Sequence, residues 1–247
     1  MLMNRYLVIP FVLILYAGLY GGVKMVFAQD QSDDICYALH LIESANPENV
    51  WDSVPEISSD FHYPWRPQLP ELTRFQAFTD GTRLHFRFMV EDTSLISPGS
   101  VEDEKAVDAS DRVEIFFAPG AGQGPMTKSA IASYYVLEVA PNGLTHDYQA
   151  AYYRKFNSEW DAEGLETNTA ITTQGYDVSG SLPLVPIVVE NTPVKIGQKI
   201  WAGVFRADFR MNDSTLEAHW ISWIDPATND PDFHVETAFG CWKVIRP

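Results

Sequence analysis

Three charged residues interrupt otherwise apolar, strand-like segments and are the first candidates for a functional site. They are Glu114, Glu138 and Arg206, in segments 111–117, 134–140 and 200–209. Successive side chains of an extended strand point to opposite faces, so Glu114 shares its face with Arg112 and Phe116. A carboxylate there costs free energy unless it is solvated or hydrogen-bonded. We therefore expect these charges to form a ligand-binding patch on one sheet face or, between Glu138 and Arg206, a buried ion pair.

Binding is favoured over catalysis. The sequence has no Gly-x-Ser-x-Gly, no His-Glu-x-x-His and no glycine-rich phosphate loop. Glu114 and Glu138 could serve a glycosidase as acid and base, but with 33 Asp and Glu in the chain a pair alone carries little information. Carbohydrate sites combine flat aromatic rings, which cover the C–H faces of a sugar, with charged groups that bond its hydroxyls. We predict a carbohydrate-binding protein and no enzyme.

The acid-rich loop 94–110 offers oxygen ligands for a cation. Asp108 in this loop, with Asp92 before it and Asp111 after it, is a candidate calcium site, since calcium takes six to eight oxygen ligands. The spacing is not that of an EF-hand, and the alternative is a loop that is only solvated. Calcium is therefore an optional ligand, and no cofactor is required.

The N-terminus has the pattern of an export signal. Arg5 precedes the apolar run 6–22, and Val26-Phe27-Ala28 matches the small-residue rule for cleavage before Gln29. We predict a signal peptide over 1–28, one domain over 29–247, and a secreted or periplasmic location. The alternative is an uncleaved anchor, because the apolar run is near the shortest length that spans a membrane.

The chain has only two cysteines, Cys36 and Cys241, near opposite ends of the predicted mature part. In an exported protein this pattern predicts a disulfide between the terminal strands, and two buried free thiols are the alternative. The net charge of −16 argues against nucleic acid and anionic lipid as partners. We expect a monomer with no membrane contact beyond the signal segment.

The hydrophobic pattern predicts an antiparallel β-sandwich of jelly-roll type with little helix. Turn signals recur at intervals of roughly 8–12 residues in the middle of the chain, and no segment sustains a helical period. The clearest hairpin joins 73–78 to 83–91 across Asp80-Gly81, with apolar and polar side chains alternating along its second strand.

Four segments resemble motifs of carbohydrate-binding module family 9 and its family 9-like relatives. They are LHFRFMVED at 84–92, similar to LY-x-F-x-V-x-D; DRVEIF at 111–116, similar to D-x-VEIF; YYVLEVAPNG at 134–143, similar to YY-x-x-E-V-x-P-x-G; and ISWIDP at 221–226 with Phe233-His234 and Phe239-Gly240, similar to a closing W-x-DP…FG run. The likeness extends over nearly the whole predicted mature chain.

This resemblance implies a β-sandwich that holds a sugar chain end between two tryptophans and a glutamate. The glutamate matches Glu114, whereas the tryptophan positions match Asp108 and Phe233, and an arginine of the family matches Glu138. One ring is therefore missing, one is phenylalanine, and a positive group is replaced by a negative one.

The site that we predict consists of Glu114, Glu138 and Arg206, rimmed by Phe233 and His234, with a loop ring such as Trp160 or Trp65 in place of the missing tryptophan. The main alternative is a scaffold that has lost its sugar site and acts as a structural or protein-interaction domain. The choice between the two depends on whether an aromatic ring stands exposed beside Glu114.

A minor alternative is haem binding. A related β-sandwich group binds haem through axial Met, His or Lys, and Met89, Met211 and His234 are the residues available here. The family's use of calcium adds interest to the acidic loops without assigning ligands.

Overall fold

The computed structural model describes residues 36–42, 50–99, 102–122, 124 and 126–247; the predicted signal peptide lies outside these ranges. The described residues form the strands β1 (Tyr37–Leu41), β2 (Glu56–Ile57), β3 (Thr73–Thr79), β4 (Arg83–Glu91), β5 (Arg112–Phe117), β6 (Ser133–Val139), β7 (Thr145–Ala151), β8 (Lys155–Asn157), β9 (Glu166–Ile171), β10 (Gly175–Pro183), β11 (Lys199–Asn212), β12 (Thr215–Ser222) and β13 (Gly240–Ile245). The described residues also form three short 3-10 helices, at Trp51–Ser53, Glu104–Ala109 and Glu236–Ala238. No helix among the described residues has the length and apolar character needed to cross a membrane.

The strands pair in the order β8-β7-β6-β5-β11-β13-β1-β3-β4-β10-β9, with β12 added to β11 and β2 to β3. Neighbouring strands are antiparallel except around β1, which runs parallel to both β13 and β3. The sheet is therefore mixed at its centre and antiparallel towards both ends. The predicted β-sandwich is confirmed, because strands far apart in this order bury their side chains in one shared core.

That core joins one face of β5 and β6 to the inner faces of β3, β4 and β10. Val113, Ile115 and Phe117 of β5 belong to it, as the strand's alternation predicts. Phe116, of the opposite parity, belongs to a second buried cluster on the other face of the same strand. Burying an aliphatic or aromatic side chain stabilises the fold by roughly 1.5–3 kcal/mol. Both faces of β5 are therefore buried, and a charge on either face needs a partner.

The predicted hairpin is confirmed as β3 and β4, which pair from Thr73 opposite Val90 to Thr79 opposite Leu84. Gly81 has a φ of +96°, which favours glycine because it lacks a Cβ. The carboxylate of Asp80 accepts hydrogen bonds of 2.8 Å from the backbone N–H groups of Thr82 and Arg83 and so closes the turn.

The predicted disulfide is also confirmed, since Cys36 is bonded to Cys241 across a sequence separation of 205. Cys36 directly precedes β1, and Cys241 lies in the adjacent strand β13. The bond therefore ties together two neighbouring strands from opposite ends of the described chain.

Candidate functional site

A cavity of about 520 Å³ opens on the face of β5, β6 and β7 that carries Phe116. Its buried floor consists of Arg112, Glu114, Glu138, His146 and Tyr148. Its walls carry charged side chains (Lys105, Asp108, Arg154 and Asp232) and rings (Trp65, Phe156, Trp220, Phe233 and His234).

The pairing of β5, β6 and β7 brings the residues of the floor together. Glu114 of β5 lies directly opposite Glu138 of β6, and Glu138 lies opposite His146 of β7. Like charges opposite each other are destabilising, and Arg112 resolves this conflict. Its Nε lies 2.9 Å from Glu114 Oε1 and 3.0 Å from Glu138 Oε2. One guanidinium therefore serves both carboxylates.

Arg112 is fixed in place by the chain around it. Its Nη1 donates to the carbonyl oxygens of Val107, Asp108 and Ser110 at 3.2–3.4 Å. Its guanidinium also lies 5.4 Å from the centre of the Trp220 ring, within cation–π range. Burial alone would lower the pKa of Arg112, but the two carboxylates raise that pKa above its usual value, so the group stays charged.

The carboxylates and the histidine of the floor have shifted pKa values. Burial raises the pKa of Glu114 to about 8 against the opposing charge of Arg112, with Glu138 adding to the rise. Burial likewise raises the pKa of Glu138. Burial alone would lower the pKa of His146, but its hydrogen bond to Asp108 and the charge of Glu138 together raise it. Protons are therefore retained in this floor at a higher pH than isolated side chains would allow.

The floor also keeps unused hydrogen-bonding capacity. Arg112 Nε, Glu114 Oε1, Glu138 Oε2 and His146 Nε2 are buried, and none has a well-directed hydrogen bond to another described residue. The arginine contacts are short enough for hydrogen bonds but poorly aligned, so we count them as ion pairs. Buried polar atoms are nearly always hydrogen-bonded, so these four atoms are available to a partner such as water, an ion or a ligand.

The rings of the cavity differ in exposure. Phe156 is 45% exposed, whereas Phe233 is buried, stacked on Phe205 at 4.2 Å between ring centres. Trp220 stands edge-on to Phe233 at 5.9 Å. His234 is hydrogen-bonded through Nδ1 to the hydroxyl of Tyr134 at 3.0 Å, and burial, helped by the charge of Arg154, lowers its pKa to about 4.

Four of the predicted site residues, Glu114, Glu138, Phe233 and His234, line this one cavity. Arg206 does not, and its placement beside them was wrong. The β5–β11 register sets Phe205 opposite Glu114 and Arg206 opposite Val113, so Arg206 points to the other face.

Arg206 is fully buried there, and its Nη2 donates to Asp92 Oδ2 at 2.8 Å. The alternative prediction, an ion pair between Arg206 and Glu138, is wrong for the same reason. Arg112 is the cation that pairs with Glu138. The sequence indicated this, because Arg112 and Glu114 point to the same face of their strand.

Trp160 also lies outside the cavity. Its ring packs 4.8 Å from that of Tyr135 and contacts the interior core. The rings that line the cavity with Phe233 are instead Trp65, which the sequence offered as an alternative, Phe156 and Trp220. Of the three residues named as possible haem ligands, His234 lines the cavity, whereas Met89 and Met211 do not.

The three predicted calcium ligands do not come together. Asp92 and Asp111 group with Asp208, while Asp108 groups with Glu138 and His146; each group offers ligand atoms within 4.8 Å of one another.

The Asp92–Asp111–Asp208 group is held by donors of the protein. The backbone N–H groups of Ser94, Ile96 and Phe209 and the side chains of Tyr63, Arg206 and Arg210 all donate to it. Burial raises the pKa of Asp111 to about 7. These three carboxylates therefore anchor the loop around residue 96 to β11.

The molecule is an all-β sandwich module with an open cavity that has a charged floor and aromatic walls. The chain belongs to the carbohydrate family 9 binding domain-like family, whose model matches residues 44–245. No match to the chain is found among curated protein sequences.

Solved structures share the fold at low sequence identity. A protein of Bacteroides uniformis described as a candidate carbohydrate-binding protein matches with a TM-score of 0.59 and 14% identity, over 85% of this chain and 97% of that one. A family 9 module of Caldicellulosiruptor kristjanssonii in complex with glucose gives 0.55 and 16%, over 85% and 95%. The same organism's module in complex with cellotriose gives 0.57 and 16%, over 86% and 94%.

Proposed function

We propose that the protein is an exported, non-catalytic carbohydrate-binding protein and that its saccharide binds in the cavity over Arg112, Glu114 and Glu138. Family membership supports saccharide binding, as do the relatives solved with glucose and cellotriose. The observation that carries the location is the ring of Phe156, which stands 45% exposed in the same cavity as Glu114. An exposed ring near Glu114 is what we expect of a functional sugar site and not of a scaffold that no longer binds sugar.

The cavity has the chemistry that a sugar requires. Phe156 and Trp220 offer apolar faces to C–H groups, and the charged side chains around them are acceptors and donors for hydroxyls. Its volume of about 520 Å³ lies within the range of small-ligand pockets, roughly 300–1,000 Å³.

The arrangement of the carboxylates favours binding over hydrolysis. Glu114 and Glu138 lie on adjacent strands and contact the same nitrogen of Arg112. A glycosidase instead places its two carboxylates on either side of the scissile bond. Both groups here lie in the floor, so we propose that they orient hydroxyls. The disulfide supports export, because such bonds persist in oxidising compartments.

Isothermal titration calorimetry against soluble oligosaccharides, glucose and cellotriose included, tests this proposal. We expect one site per chain and a loss of about tenfold in affinity for Phe156→Ala, since removing a stacked ring costs roughly 1–1.5 kcal/mol. Ile171→Ala is the control, because Ile171 is an apolar side chain 60% exposed on β9 and does not line the cavity. If the folded protein binds no saccharide, the function is refuted; if Phe156→Ala binds as the parent does, the location is refuted.

A further inference from the structure

A second feature of the cavity is the convergence of Asp108, Glu138 and His146, which come from the 3-10 helix Glu104–Ala109, β6 and β7. His146 Nδ1 lies 3.0 Å from Asp108 Oδ1 and 3.9 Å from Glu138 Oε2. In a tetrahedral metal site with bonds of about 2.0–2.2 Å, two ligand atoms are roughly 3.3–3.6 Å apart. The two distances bracket that value, so small side-chain shifts would accommodate a cation.

The buried carboxylate of Glu138 gives independent support. Its side chain is 5% exposed, yet Oε2 has no directed hydrogen bond within the described structure and is held by the poorly aligned ion pair with Arg112 Nε at 3.0 Å. The 3.9 Å between Oε2 and His146 Nδ1 is too long for a hydrogen bond. The other oxygen of Glu138, Oε1, accepts a hydrogen bond of 3.1 Å from Tyr148 and is thereby oriented. Metal-binding carboxylates are commonly fixed in this way by an outer partner.

Charge balance points in the same direction. The buried carboxylates of Glu114 and Glu138 face one buried cation, Arg112, and the more exposed Asp108 adds a third negative charge, so the group carries two excess negative charges when all three carboxylates are ionised and His146 is neutral. Burying net charge is costly unless it is compensated. The remaining cations of the cavity, Lys105 and Arg154, are exposed, and Arg154 pairs with Asp232 at 3.0 Å. A bound dication would balance the floor.

We propose that Asp108, Glu138 and His146 bind one divalent transition cation of the Zn²⁺ class, with a fourth coordination position facing the cavity. One imidazole and two carboxylates suit such a cation, whereas calcium needs six to eight oxygens. The open position would hold water or, when a saccharide is bound, a sugar hydroxyl. Only this last step rests on the proposed function.

The test is a titration of the chelator-stripped protein with Co²⁺ and with Zn²⁺. We expect one equivalent of Co²⁺ to give the visible absorption of a tetrahedral site, Zn²⁺ to displace it, and Ca²⁺ to leave it in place. His146→Gln should weaken Co²⁺ binding at least about tenfold. His85→Gln is the matched control and should bind as the parent does, because His85 also lies 3.0 Å from an aspartate, Asp80, but does not line the cavity.

Asp108→Asn provides a second variant, whose folding should be unaffected because its side chain is 58% exposed. The cation site is refuted if the parent binds neither metal, or if His146→Gln and Asp108→Asn both bind Co²⁺ as tightly as the parent. Saccharide titrations with and without Zn²⁺ separate the two proposals. Sugar binding without metal binding overturns only the cation site, and metal binding without sugar binding overturns only the proposed function.

Discussion

Replacing Arg112 by methionine should destabilise the fold far more than a typical arginine substitution. Methionine keeps much of the packing volume but removes the cation that lies within 3.0 Å of both Glu114 and Glu138. It also removes three hydrogen bonds to backbone carbonyl oxygens. Two buried carboxylates would then face each other across β5 and β6 with no cation between them.

The expected loss follows from this geometry. Breaking a buried ion pair by removing one partner costs about 3–5 kcal/mol, because the remaining charge stays buried without compensation. Replacing all three members leaves no uncompensated charge, so Arg112→Met/Glu114→Gln/Glu138→Gln should recover a large part of the loss. The triple variant should therefore be more stable than the single one.

Guanidinium-induced unfolding of the parent, the single variant and the triple variant measures these differences. Arg154→Met is the matched control, since Arg154 pairs with Asp232 near the surface, and exposed pairs contribute about 1 kcal/mol or less. The idea that charge compensation stabilises the floor is refuted if the triple variant is no more stable than Arg112→Met. It is also refuted if Arg112→Met lowers the free energy of unfolding by less than about 1 kcal/mol.

Two other predictions concern the disulfide and His234. Cys36→Ser/Cys241→Ser removes a cross-link between residues with a sequence separation of 205 and should lower the free energy of unfolding by up to about 5 kcal/mol. Equal thermal midpoints for the parent and this variant, measured without reductant, would contradict this. Because the folded-state pKa of His234 is lowered to about 4, the unfolded chain binds more protons between pH 6.5 and 4. Stability should therefore fall by up to about 3 kcal/mol as pH drops through that range. His234→Phe should remove this part of the acid sensitivity, as denaturant unfolding at pH 7 and pH 4.5 would show, and an unchanged difference between the two pH values would argue against it.

Local alternation predicts more of this fold than long-range pairing does. The β3–β4 hairpin and the two faces of β5 follow from side chains that alternate every second residue, a signal contained in each segment. The parallel pairing of β1 with β13 and β3 has no such signal, because strand direction depends on segments far apart in the chain.

The same distinction explains the errors at the site. Parity correctly groups Arg112 with Glu114 on one strand, but it does not state which face of β11 adjoins them. Arg206 was therefore assigned to the wrong face. Trp160 lies in a loop and Phe156 in the three-residue strand β8, which is too short to show a period, so their positions follow only from the folded chain.

The position of the disulfide has a mechanical consequence. β1 and β13 are parallel neighbours at the centre of the sheet, so opposite pulls on the outer ends of the two segments would shear the hydrogen bonds between them. Cys36 and Cys241, however, are joined covalently. A pull applied before residue 36 and after residue 241 would pass mostly through the sulfur atoms, with only the short β13 segment beyond residue 241 exposed to it. The long segment between the cysteines, which carries nearly all of the cavity and both cores, would bear no tension while that bond lasts.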